Sequence, residues 1–148
     1  MATPITTGAA AMVRQYFIEG YHHNGSPSTK SYNPSGVLVK AVIMNGGQVV
    51  EYVTSGFFWK SLEMYDDSVN MGRVSLIDSL PLAGKNNFNM KFDDGKRLKV
   101  KEQDTYKIKI NQASSCTSNE LRVTVAWAGK HFILVLLSFL FLWNICFD

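Results

Sequence analysis

His22 and His23 stand side by side, with Ser26 four residues beyond His22 and Asp66 further along. A hydroxyl, an imidazole and a carboxylate within hydrogen-bond reach would make a nucleophilic triad, provided that donors for an oxyanion stood nearby. Nothing in the spacing fixes that geometry, and the pattern is read as no triad. Adjacent histidines without a third ligand at a recognisable interval are read as surface residues, not metal ligands. Asp66-Asp67 and Asp93-Asp94 are acid pairs. Calcium wants six to eight oxygens, so turn acids are the simpler reading, and neither a metal nor a cofactor is expected. Cys116 lies in a polar stretch and Cys146 in an apolar one. Two cysteines so placed form no metal motif and no disulfide framework. Asn24-Gly25-Ser26 is one glycosylation acceptor triplet, followed by Pro27, which is weak evidence for export.

Composition bounds the rest. The chain has 148 residues, 46% of them hydrophobic and 18% charged, with a net charge of +3. That is room for one domain or two incomplete pieces. The lysines alternate from Lys85 to Lys109, as on solvated strand faces. A nucleic-acid surface would need a clustered basic stripe with aromatic platforms, so a nucleic-acid partner is not expected. Residues 1–18 hold one Arg and no acid, superficially like a transit peptide; a buried helix is the preferred reading, and no secretory signal is seen.

The elements that must position these residues follow from periodicity. Pro4 suits a first helical turn, and Ile5, Ala9, Met12, Val13, Tyr16 and Phe17 recur at helical spacing up to Gly20. Gly8-Ala9-Ala10-Ala11 is small on every face, which predicts a helix buried against other backbone. A second helix is predicted from Ser35, a capping residue, to Asn45, with Gly46-Gly47 ending it. Gln48 to Thr54 reads as a short extended piece, residues 60–73 as irregular, and Val74 to Leu80 as one helical turn stopped by Pro81.

After Gly84 the period becomes two: Phe88, Met90, Phe92; then Tyr106, Ile108, Ile110; then Leu121, Val123, Val125, Trp127. Half-buried antiparallel strands are predicted, with Asp93-Asp94-Gly95 as a turn between two of them and Trp127 in the core. Phe132 to Phe147 is apolar except for Ser138 and Asn144. As a helix it would span about 24 Å against a hydrocarbon core of about 30 Å. Three readings stay open: a membrane anchor, a core strand pair, or translated intron. For the last, Gly129-Lys130 can be encoded by GGT-AAG, which contains a splice donor.

Met1-Ala2-Thr3-Pro4 followed by Gly8-Ala9-Ala10-Ala11 resembles the segment after the nucleophile of subtilisin-like serine proteases, where Gly-Thr-Ser-Met-Ala-Thr-Pro leads into a Gly-Ala-Ala-Ala helix. Arg14-Gln15-Tyr16-Phe17, Asn33-Pro34-Ser35-Gly36 and Leu38-Val39-Lys40-Ala41 resemble the two-helix stretch that follows in a large-protease branch. Gly72-Arg73-Val74-Ser75-Leu76 resembles a turn near the end of the catalytic domain. Asp104-Thr105-Tyr106 and Leu121-Arg122-Val123-Thr124-Val125-Ala126-Trp127 resemble strands of the appended β-sandwich. After Trp127 the family expects a polar Thr-Asp turn, and this chain departs from it.

The resemblance implies an α/β fold followed by a partial antiparallel β-sandwich and an apolar tail. Residues 1–83 would end a catalytic domain, 84–130 would belong to the sandwich, and 131–148 would be the tail. It implies a parent that cleaves protein or peptide substrates and is secreted or membrane-attached. The family's Asp, His, oxyanion Asn and Ser all map before Met1, so the chain alone is expected to be inactive; only Met1, Ala2, Thr3 and Pro4 represent the site. It also implies poor folding in isolation, because the sheet that covers the helices would lie upstream. The alternatives are a membrane-tethered sandwich that binds without catalysis, with contact through Phe132 to Phe147, or a pseudogene product.

Overall fold

A computed structural model describes residues 2–55, 58–61, 69–99, 101–108, 121–130 and 134–143. Helix α1 runs Ala2–Ile18, a short 3-10 helix Tyr21–His23 follows, and α2 runs Gly36–Asn45. Strands β1 (Tyr52–Ser55) and β2 (Phe58–Ser61) form an antiparallel pair. Strands β3 (Asn89–Leu98), β4 (Leu121–Lys130) and β5 (Leu134–Trp143) form a second antiparallel sheet in the order β3-β5-β4.

Helix α2 starts where the capping chemistry places it. Ser35 is extended, and its Oγ accepts from the Leu38 N–H at 3.0 Å. That satisfies one of the donors that a helix start leaves unpaired. At the other end the chain turns at Gly46 directly against Ser79, whose backbone N would lie 2.6 Å from a Cβ placed there. No larger residue fits at this crossing without a shift.

Helix α2 lies against β3, β4 and β5, and α1 packs beside α2. Val13, Tyr16 and Phe17 of α1 share one cluster with Leu38, Ala41 and Val42 of α2, and with Leu80, Met90 and Ala126. Phe17 meets Phe92 of β3 edge-on at 5.1 Å between centroids. This core therefore draws on both sides of the expected boundary near residue 83. The C-terminal half of the chain supplies a sheet that lies against α2 and reaches Phe17 of α1. A single burial event thus stabilises both helices and the sheet, at roughly 25 cal/mol per Å² of apolar area removed from water.

Several expectations change. Asp93-Asp94-Gly95 is not a turn between strands. It is an irregularity inside β3: Asp93 pairs with Phe139 and Lys96 with Leu137, so two residues face one. Gly95, at φ 79°, supplies the left-handed residue that bulges and turns both use, which is why the sequence signal is the same. Residues 102–108 carry no strand, and 109–110 lie outside the described residues. Tyr106 donates instead to Asp93 at 2.7 Å, and Lys96 pairs with Asp104. Those side-chain bonds hold the segment without ladder hydrogen bonds. Phe58–Ser61, expected to be irregular in part, is a strand, and Gln48 bridges Arg73. The turn before Pro81 is present, with the Leu80 N–H donating to the Leu76 carbonyl at 3.0 Å.

The tail within Leu134–Trp143 is a strand at the centre of the sheet, not a helix. Among the described residues no helix is long and apolar enough to cross a membrane. Trp127 is 60% exposed, not core. In β4 it is Ala126 that turns towards the helices, 3% exposed, while Leu121, Val123 and Trp127 occupy the opposite face.

Candidate functional site

The motif Ala2-Thr3-Pro4 forms the first turn of α1, and Met1 lies outside the described residues. Every residue from 2 to 8 is exposed. No acidic side chain occupies this first turn. Thr6 Oγ1 donates to the Ala2 carbonyl at 3.2 Å and Thr7 Oγ1 to the Thr3 carbonyl at 2.9 Å. These bonds run back along the helix and leave the N-terminal amides unengaged by them. The positive end of a helix favours negative charge placed before it. The turn itself carries no titratable side chain that could act as a base.

Of the residues weighed for a triad, His22 and Ser26 are described and make other contacts. The His22 ring stacks on Phe17 at 5.4 Å and meets Phe92 at 5.7 Å and Tyr32 at 6.1 Å. Burial, the largest cause, lowers its pKa; His23 and Lys30 lower it further, and the Phe17 carbonyl opposes them. His23 points elsewhere: it is exposed, with Lys30 Nζ 2.9 Å from its Nε2. The Ser26 backbone N–H donates to Asn24 Oδ1 at 3.2 Å in a local turn. Asp66, Asp67, Cys116 and Cys146 lie outside the described residues.

Asp93 and Asp94 diverge. Asp94 accepts from the Ser35 N–H at 2.9 Å, Ser35 Oγ at 2.5 Å and Tyr32 Oη at 3.1 Å. Ser35 Oγ in turn caps α2, so the carboxylate ties β3 to the start of that helix. Asp93 serves Tyr106 and Lys96. Among the described residues no three His, Cys, Asp or Glu side chains form a group that could hold a metal ion.

A cleft of about 440 Å³ opens between residues 22–25 on one wall and residues 81–83 and 86–90 on the other. Its walls are joined by the Ala83 N–H donating to the Gly25 carbonyl at 3.0 Å. Asn86 is consumed by the fold: its amide donates to the Ile77 and Leu80 carbonyls and accepts from the Leu82 N–H. Sequence periodicity gave no sign of this cleft, because it lies between two loops. The Asp94–Ser35 tie was missed for a similar reason. Each partner was singled out alone, one as a turn acid and one as a cap, 59 residues apart.

No family model matches the chain, and no solved structure matches it. Two proteins of Dictyostelium discoideum do. The serine protease/ABC transporter B family protein tagD is 39% identical over 51 residues, which is 34% of this chain and 3% of that protein. The serine protease/ABC transporter B family protein tagB is 36% identical over 62 residues, 41% of this chain and 3% of that protein. The matched segments therefore span about 3% of the length of these relatives. Over those segments, the chain is related in sequence to proteins named as serine proteases.

Proposed function

We propose that this chain is a piece of a subtilisin-like serine protease, the part that follows the nucleophile, and that alone it cuts no peptide bond. The observation that carries this reading is the similarity to two proteins named serine protease. The Ala2-Thr3-Pro4 and Gly8-Ala9-Ala10-Ala11 pattern on one helix supports it. In the parent, Ser attacks the scissile carbonyl of a protein or peptide substrate, His carries the proton, Asp orients His and an Asn side chain stabilises the oxyanion. This piece supplies the helix behind the nucleophile, the helix packed beside it, and antiparallel strands of an appended sandwich. No step of the chemistry uses one of its own side chains.

The test is a fluorophosphonate probe, which forms a covalent bond with an activated serine. The purified 148-residue chain is expected to stay unlabelled. Labelling of the chain by itself, abolished by replacing one of its own serines, overturns the reading.

A further inference from the structure

His22 is a histidine that the protease reading leaves without a role. Its ring joins three parts of the molecule: Phe17 of α1, Tyr32 of the following loop and Phe92 of β3. Those three rings also touch one another, Phe17 with Phe92 at 5.1 Å and Tyr32 with Phe92 at 5.2 Å. The imidazole is thus one member of an aromatic box. Its Nδ1 is buried and has no hydrogen-bond partner. A neutral imidazole tolerates this, since one nitrogen need not donate. An imidazolium carries two N–H donors and a charge, and the acceptor nearest the ring, the Phe17 carbonyl, already takes the Gly20 and Tyr32 N–H groups.

The charged groups around it reinforce the point. His23 on the same 3-10 helix and Lys30 from the loop are both cationic or basic and act against a second positive charge. From α1 only the Phe17 carbonyl favours the imidazolium. On β3 the Asp94 carboxylate is engaged by Tyr32 and Ser35. Tyr32 faces the ring with its edge and stays neutral, its own pKa raised by burial first and by Asp94 next.

The ring also borders the cleft between residues 22–25 and 81–90. We infer that His22 is a proton-sensitive latch: neutral, it holds residues 21–32 against α1 and β3; protonated, it leaves the aromatic box and opens the cleft it lines. This device depends on the packing of His22, not on the protease reading.

The sign follows from linkage. An imidazole whose pKa is held down by folding contributes fully above its unfolded value, about 6.5, and loses that contribution as pH falls. The experiment is side-chain NMR of the full chain from about pH 8 to about pH 5, across the histidine range. His22 is expected to titrate below the ordinary imidazole value of about 6.5, and the ring resonances of Phe17 and Phe92 to shift along the His22 curve. In His22→Phe, which fills the box but takes no proton, those ring shifts are expected to vanish. Should that variant not fold, the wild-type curves still decide. A His22 that titrates at or above about 6.5, ring resonances that stay fixed while it titrates, or His22 signals typical of an unstructured peptide would each overturn the latch.

Discussion

The two ends of α1 carry the same kind of side chain in different surroundings. Towards its C-terminus, Val13 and Phe17 are 0% exposed, enclosed by α2 and the sheet. Towards its N-terminus, Ile5 is 68% exposed, and a Cβ on Gly8 would touch nothing within 4 Å. Helical periodicity runs through both halves, so the pattern marks faces that want cover without saying where the cover comes from. The covered half finds it in strands from the same chain. The open half is the one that bears Ala2-Thr3-Pro4 and the small-residue run.

The largest effect that could break this contrast sits in the covered half. Phe17→Ala empties a fully buried site and is expected to cost about 3–5 kcal/mol, read as a large fall in the urea midpoint. A loss below about 1 kcal/mol would mean that the ring is not enclosed in solution. Next comes the tie that holds the sheet to α2. Asp94→Asn turns an acceptor of three hydrogen bonds into a group that must present an amide N–H to donors. A cost of about 1–3 kcal/mol is expected, and hydrogen exchange should quicken first at the start of α2.

Tyr16 gives a smaller, pH-dependent effect. Its hydroxyl donates to the Pro81 carbonyl at 2.8 Å, and burial raises its pKa well above the ordinary value of 10.0. A phenol held neutral by the fold stabilises fully below its unfolded pKa, and that contribution is lost as pH rises past it. Tyr16→Phe should therefore flatten the alkaline limb of the stability curve and cost about 1 kcal/mol near neutrality. Smallest of all, Ile5→Ser should change the stability of this chain by about 0.5 kcal/mol or less. A larger loss would show that the open half is covered after all.

Much of this arrangement was legible from side-chain type and spacing. Pro4, Gly20, Ser35 and Gly46 bounded both helices, and alternation found β3 and β4. What failed shares a cause: local pattern does not specify which partner an element meets. The run through Leu134–Trp143 is apolar apart from Ser138, so it fits a helix or a central strand equally. Trp127 lies on one face of an alternating strand, but alternation does not say which face the helices cover. Asp93-Asp94-Gly95 carries the chemistry of a turn and serves as a bulge, because both need one left-handed residue. Tyr106 keeps the alternation of a strand residue yet spends its hydroxyl on Asp93. The candidate site was legible only through the resemblance on α1. The His22 box needs residues from three separate parts of the chain, and no spacing rule joins them.

The most direct measurement is a full-length read of the transcript across this region. A protease piece predicts codons for Gly-Thr-Ser in frame immediately before Met1. An in-frame stop there, or codons for unrelated residues, would contradict the assignment.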